Sequence, residues 1–322
     1  MHPKFQRNYD RTRGYLDDLG KLPHSAVLNS IYHVFPPQFE PRPLQERLRR
    51  DFEPDLEDAS GLFALNLLRL YQDSPATKIA LCSMPKSGSS FFVHALCKLV
   101  QGMERVYLHT PYMNPDFVGA FSCEHEIDEL ALLALEHRQV NWVSHMHTKW
   151  TPYTERMFQA FNIKPIVTFR NIFDCIVSMD DMILAGQVEG FPMIRIPARY
   201  PKLPAAERLD FLCAYVGPWY LDYVVSWSRA TLPVLRIDYD RDVRGFDEGT
   251  GERLRAFLGM EATMSASGMA EAFRISDPDD KSRVRFNQGI TGRGERIPAP
   301  ARDSLRRLAA PYADEVDFTG LL

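Results

Sequence analysis

Residues 78–100 read KIALCSMPKSGSSFFVHALCKLV, and their division into three pieces decides the fold. KIALCSM is a short apolar run of the length of a buried strand, and PKSGSS is a turn. FFVHALCKLV carries Phe92, Ala95, Leu96, Leu99 and Val100 at helical spacing. The same grammar recurs downstream. PIVTF (165–169) leads through RNIFD into the helical CIVSMDDMIL (175–184), and PVLRIDY (233–239) precedes the amphipathic ERLRAFLGM (252–260). VNWVSHMH (140–147) supplies a further strand. Strands alternating with helices predict a three-layer α/β fold, a central parallel sheet flanked by helices. Ligands of such sheets bind outside the carboxyl ends of the strands, where PKSGSS, RNIFD and HMHTK all emerge.

Outside this pattern, residues 1–75 are rich in Pro, Arg and acidic side chains. Leu62, Leu65, Leu68 and Leu70 predict one helix over 60–71, and Pro36, Pro37, Pro41 and Pro43 make the stretch before it a loop. With no internal repeat and no linker, residues 1–322 read as one domain: an N-terminal extension (1–75), a core (76–296), and a C-terminal helix and tail (297–322).

The 45% hydrophobic and 25% charged composition is that of a globular protein. A net charge of −4 gives no general pull toward nucleic acid or anionic membrane, so any anion site is local. Cys82, Cys97, Cys123, Cys175 and Cys213 are scattered without a CxxC or Cys/His cluster. That argues against a zinc site and fits free thiols in a reducing cytoplasm. The polar start MHPKFQRNYD does not read as a signal peptide, and no apolar run approaches a membrane span, so a cytoplasmic location is expected.

Pro85 to Ser90 has the chemistry of an anion cradle. Gly88 permits a backbone in which successive N–H groups converge, Ser89 and Ser90 bring hydroxyls, the helix N-terminus adds partial positive charge and Lys86 a full one. An ordinary Ser/Gly turn would not need the lysine. The loop is not GxxxxGK[ST], since Lys86 precedes Gly88 and the upstream glycine is absent, which argues against a kinase or ATPase.

Arg170 closes the PIVTF strand, with Asp174 placed to cap the next helix and Ser178 just over a turn inside it. An arginine at a strand end can fork onto one phosphate with a serine eight residues on. A surface pair of Arg170 with Asp174 is the competing reading. His145 and His147 are two apart on a strand and share a face.

PKSGSSF resembles the PKSGTTW loop of PAPS-dependent sulfotransferases, where PAPS is 3′-phosphoadenosine 5′-phosphosulfate. Ser89 and Ser90 stand for the two threonines, and Phe91 for the aromatic that packs on adenine. RNIFDCIVS resembles the family's RNPxDxxVS, with Ile172 for proline. Gly217-Pro218-Trp219 with Asp222, Val224 and Trp227 resembles GSWxDHVxxW, with Tyr223 for histidine. VLRIDYDRD and the FLG that follows resemble LxYEDL…FLG. HMHTKW stands where the family has KTHLP.

The resemblance implies a P-loop-like fold and sulfuryl transfer from PAPS to a hydroxyl or amine, with no metal. It implies that Lys86, Ser87, Gly88, Ser89, Ser90 and Phe91 bind the 5′ side and adenine, and that Arg170 and Ser178 hold the 3′-phosphate. His147 is then the general base and Lys86 stabilises the departing bisphosphate, restrained by Ser178. His145 stands in place of an assisting lysine, a charge that Lys149 is a candidate to supply. In FNQGITGRGER, Gly289 and Gly292 keep the spacing of the family's RKGxxGDWK, but Asn287 and Gln288 replace the basic pair. Arg293 is the first candidate to compensate and Arg285 the second. The departures at His145, Asn287 and Gln288 favour an alternative, a PAPS-binding protein without catalysis; retention of Lys86, His147, Arg170 and Ser178 opposes it. The acceptor, whether small molecule, lipid or carbohydrate, would be chosen by residues 1–75, 107–129 and 186–203.

Overall fold

The computed structural model describes residues 76–100, 102–106, 108, 127, 132, 135, 140–186, 196–260, 265–273 and 290–322. The N-terminal extension, the helix expected over 60–71, Cys123, Arg285, Gly289 and most of the acceptor-side segments lie outside the described residues.

Five parallel strands form one sheet in the order β2-β3-β1-β4-β5. They are β1 (Lys78–Ser83), β2 (Glu104–Val106), β3 (Trp142–Met146), β4 (Lys164–Phe169) and β5 (Leu235–Asp238). The helices are α1 (Ser89–Leu99), α2 (Pro152–Ala160), α3 (Ile172–Leu184), α4 (Ala205–Ser228), α5 (Glu248–Leu258), α6 (Ala266–Ala272) and α7 (Ala299–Ala309). A single turn of π-helix, Tyr239–Arg244, follows β5 directly. The expected α/β architecture is present. The short strand β2 and the π turn were not expected, because three residues of ERV and six of YDRDVR carry too little periodicity to register.

Side chains of successive strand residues alternate between two cores. Ile79 and Leu81 of β1, Val143, Ile166 and Ile237 pack with Phe92 and Leu96 of α1 and Leu254 and Leu258 of α5. Ala80, Cys82, Trp142, Val167 and Phe169 pack with residues of α2, α3, α4 and α7. Both faces are covered, and for that reason KIALCS is buried along its whole length and reads as an apolar run rather than an alternation.

Local chemistry sets the element ends. Asn171 caps α3, its side chain accepting from the Asp174 amide at 3.1 Å. The expected cap, Asp174, lies inside the first turn and is engaged elsewhere. Helix α5 starts four residues before the expected segment because Asp247 caps it through the Thr250 amide, and it stops at Gly259 in the left-handed region.

Helix α4 fixes the carboxyl ends of β1 and β3. Tyr220 donates to the Pro85 carbonyl at 3.1 Å, Tyr223 to the Cys82 carbonyl at 2.9 Å, and Trp227 Nε1 to the Thr148 carbonyl at 2.9 Å. All three side chains are fully buried. Each bond satisfies a polar tip that burial in an apolar layer would otherwise leave unpaired, and each holds the chain at or just beyond a strand end on the carboxyl edge of the sheet. Tyr223, which stands for histidine in the family pattern, thus acts as a brace between β1 and the layer below it.

Candidate anion and base site

The loop after β1 is held in an uncommon backbone conformation. Lys86 has φ of 69° and Gly88 of 80°, both left-handed. Glycine adopts that conformation without strain, whereas at Lys86 it costs on the order of 1–3 kcal/mol and must be imposed by neighbours. Arg170 imposes it from one side, donating Nη1 to the Lys86 carbonyl at 2.9 Å. Ser87 imposes it from the other. Its amide and its hydroxyl both donate to the Met84 carbonyl, at 3.2 and 2.5 Å. The Ser87 proton being committed, Thr168 donates to Ser87 Oγ at 2.5 Å and ties the loop to β4. Ser87 therefore shapes the cradle and keeps its hydroxyl inside it.

Gly88 is the N-cap of α1 and supplies no side-chain cap, so the first amides, at Ser89 and Ser90, are left for an external acceptor. A Cβ at Gly88 would stand 2.8 Å from Tyr239 Cε2, so glycine is required here by packing as well as by φ. Ser89 is buried and Ser90 partly exposed. Phe91 meets Phe273 edge-on at 6.0 Å, and Phe273 stacks on Phe246 at 4.1 Å. An aromatic ledge borders the loop.

Arg170 is the hub of the site. Only 5% exposed, it lies over the Tyr239 ring at 4.1 Å, and its Nη2 donates to the Ile290 carbonyl at 3.0 Å. Among the described residues its buried Nε has no hydrogen-bond partner. The surface pair with Asp174 does not form. Asp174 instead accepts from the amides of Gly292 at 3.0 Å and Gly294 at 2.7 Å, drawing the late glycine-rich loop onto α3. Arg170 and Asp174 thus act on the same late loop from two positions, one through a carbonyl and one through amides.

Ser178 is buried on α3, one turn beyond Asp174 and one before Met182. Lys86 Nζ lies 3.5 Å from Met182 Sδ, on the helix face that Ser178 shares. Arg293 is in an ion pair with Asp181 at 2.5 Å. Arg244 from the π turn, which no motif singled out, lies 3.3 Å from Thr291 Oγ1 and 3.5 Å from Asp240. Tyr239 was also missed. It ends PVLRIDY, where the tyrosine of the family pattern LxYEDL falls, and that match was the signal for it.

The histidines sit at the end of β3, alongside Ser83 at the end of β1. His147 Nδ1 lies 2.7 Å from the Ser83 carbonyl, and a carbonyl only accepts, so Nδ1 carries the proton and Nε2 is the basic nitrogen. Burial lowers the His147 pKa from 6.5 to about 4; the Ser83 carbonyl opposes that shift and the nearby Lys86 charge adds to it. The imidazole is neutral across the physiological range. His145, 8% exposed, has Nε2 2.9 Å from Ser83 Oγ, and the two rings meet edge-on at 5.0 Å. Lys149, the candidate for an assisting charge, is paired with Asp222 at 2.7 Å and lies 5.3 Å over the Trp219 ring.

Lys86, Ser87, Gly88, Ser89, Ser90, Arg170, Ser178 and His147 are all carried on the carboxyl edge of β1, β3 and β4 or on the helices starting there. The strand order makes this edge a crevice, because α1 leads from β1 toward β2 while α3 leads from β4 toward β5.

No family model matches the chain, and no curated protein matches it by sequence. Among solved structures it is similar to the mouse sulfotransferase SULT7A1 complexed with PAP, with 18% identity over 78% of this chain and 88% of that one and a TM-score of 0.48.

Proposed function

We propose that this chain is a sulfotransferase that takes a sulfuryl group from PAPS and passes it to a hydroxyl or amine of a small-molecule, lipid or carbohydrate acceptor. The observation that carries the reading is Arg170: a buried guanidinium at a strand end, in contact with both the phosphate-type loop and the late glycine-rich loop. A buried cation resting on two carbonyls, with Nε unpartnered among the described residues, fits a phosphate better than it fits its present acceptors. The uncapped start of α1 and the left-handed turn at Lys86 and Gly88 fit a second anionic group.

Bound PAPS would supply the sulfuryl group and, as leaving group, adenosine 3′,5′-bisphosphate. In this reading the amides of Ser89 and Ser90 and the Lys86 ammonium hold the 5′ side, Arg170 and Ser178 hold the 3′-phosphate, and Phe91 borders the base. Gly289, outside the described residues, is assigned to the cofactor by its place in the sequence motif alone. Arg293 would have to leave Asp181 to reach a phosphate, so in its present place it anchors the late glycine-rich loop. His147 takes the acceptor proton on Nε2. Lys86, close enough to His147 to affect its ionisation, offsets charge as it develops on the departing side.

The PAPS-binding protein without catalysis fits the geometry less well, since a neutral histidine with a defined basic nitrogen beside the lysine is needed for transfer and not for binding. Calorimetric titration with adenosine 3′,5′-bisphosphate, AMP and ATP tests the cofactor. Preference for the bisphosphate by at least about tenfold supports the reading. Equal affinity for the three would overturn it. Transfer of labelled sulfate from PAPS to a panel of phenols, sterols and sugars then separates enzyme from binder.

A further inference from the structure

Ser83 is the last residue of β1, fully buried, and no motif selects it. Yet three groups meet on it. Its carbonyl lies 2.7 Å from His147 Nδ1, while its hydroxyl lies 3.2 Å from the same Nδ1, 2.9 Å from His145 Nε2 and 3.1 Å from the Met146 carbonyl. Parallel pairing of β1 with β3 sets Leu81 beside His145 and Cys82 beside Met146, so that Ser83 comes level with the start of the loop bearing His147.

Proton counting leaves two arrangements. The hydroxyl donates to Met146 and accepts from both imidazoles, or it donates to His145 Nε2 and accepts from His147 Nδ1 alone. In both, His147 Nδ1–H is shared between the Ser83 carbonyl and hydroxyl, and Nε2 carries the lone pair.

We propose that Ser83 and His145 are positioning residues for the base. Ser83 fixes the tautomer and ring plane of His147 through two acceptors, and His145 holds the Ser83 hydroxyl in place from the other side. The proposal rests on the sulfotransferase reading for its kinetic consequence but not for its structural content. It also accounts for the departure at position 145. The imidazole at 145 supplies a planar ring nitrogen 2.9 Å from the Ser83 hydroxyl, a hydrogen-bonding partner that can act as donor or acceptor, whereas a lysine could only donate.

The structural content is tested by long-range ¹H–¹⁵N correlation spectra of the full chain labelled at histidine nitrogens, with His147→Gln to assign the signals. His147 is expected in the Nδ1–H form in wild type. In Ser83→Ala, which keeps the carbonyl, the Nδ1–H form persists but the His147 nitrogen signals shift and broaden as the ring loses one of its two acceptors, and Ser83→Thr restores the wild-type spectrum. The Nε2–H form in wild type, or unchanged spectra in Ser83→Ala, would overturn the proposal whether or not the chain transfers sulfate.

Kinetically, Ser83→Ala is expected to lower kcat about tenfold with KM for PAPS and affinity for the bisphosphate within about twofold. Ser83→Thr recovers the rate, and His145→Gln, which retains a group for the hydroxyl, loses less than His145→Ala. A parallel fall in bisphosphate affinity would mean a general loss of fold and would overturn the positioning role. Absence of any sulfate transfer by wild type together with the expected spectra would instead count against the functional reading alone.

Discussion

Asp174 Oδ1 accepts the Gly294 amide at 2.7 Å across 120 residues of chain, and by this contact the late loop is seated on the first turn of α3. The second oxygen takes the Gly292 amide. A buried carboxylate at a helix N-terminus is well placed to accept both, since the macrodipole favours its charge there. The same loop returns a carbonyl, that of Ile290, to Arg170.

This latch is expected to govern cofactor affinity. Asp174→Ala leaves two amides without their acceptor and should weaken adenosine 3′,5′-bisphosphate binding about tenfold or more by calorimetry. Gly294→Ala tests the same contact sterically, because an added Cβ would overlap the Cβ of Phe173 and stand 3.3 Å from its carbonyl carbon. The two variants should share a phenotype. Wild-type affinity in both would show that the loop takes no part in binding.

Arg170→Ala should cost more, about 2–5 kcal/mol of bisphosphate binding, with AMP affected far less because it lacks the 3′-phosphate. Arg170→Lys is not conservative here. It loses both the fork and the planar contact with Tyr239, so its affinity should fall close to that of alanine. Calorimetric curves for both nucleotides check the ratio.

Replacing His147 by alanine should lower sulfate transfer by about 10²–10⁴-fold with bisphosphate affinity retained. The pH profile of kcat/KM carries a sharper expectation. With the His147 pKa lowered from 6.5 to about 4, the acid limb should lie near the lower value, and activity should not halve near 6.5. The same shift bears on stability. As pH falls from 6.5 toward 4 the unfolded chain takes up a proton on this side chain that the folded chain refuses, so stability declines with falling pH. His147→Gln should flatten that part of a urea-unfolding series.

Tyr223→Phe removes the hydroxyl that holds the Cys82 carbonyl, in a position with no exposure. A loss of about 0.5–1.5 kcal/mol of unfolding free energy is expected from the lost buried hydrogen bond, read by urea denaturation. Because the carbonyl belongs to the residue before Ser83, a smaller fall in turnover should accompany it.

The sequence by itself determined the sheet and the cradle. Apolar runs of strand length, each followed by a turn and a 3.6-periodic helix, leave few arrangements other than parallel strands with helices on both faces, because no other packing buries them. Lys86 and Gly88 between a strand and a helix, and Arg170 at a strand end, were legible because strand–turn–helix order alone brings them to one edge. The pairing of Asp174 with the late loop was not legible. Alternatives such as a helix cap or a surface ion pair are local, and nothing in a sequence ranks a partner 120 residues away above one three residues away. Nor was the place of Ser83, which depends on the register of β1 against β3. Alternation gives the face on which a side chain lies, but only the paired strands decide which residues on that face come level. Lys149 and Arg293 show the same division: their charge was evident, and their commitment to Asp222 and Asp181 was settled by how α4 and α3 pack beside the sheet.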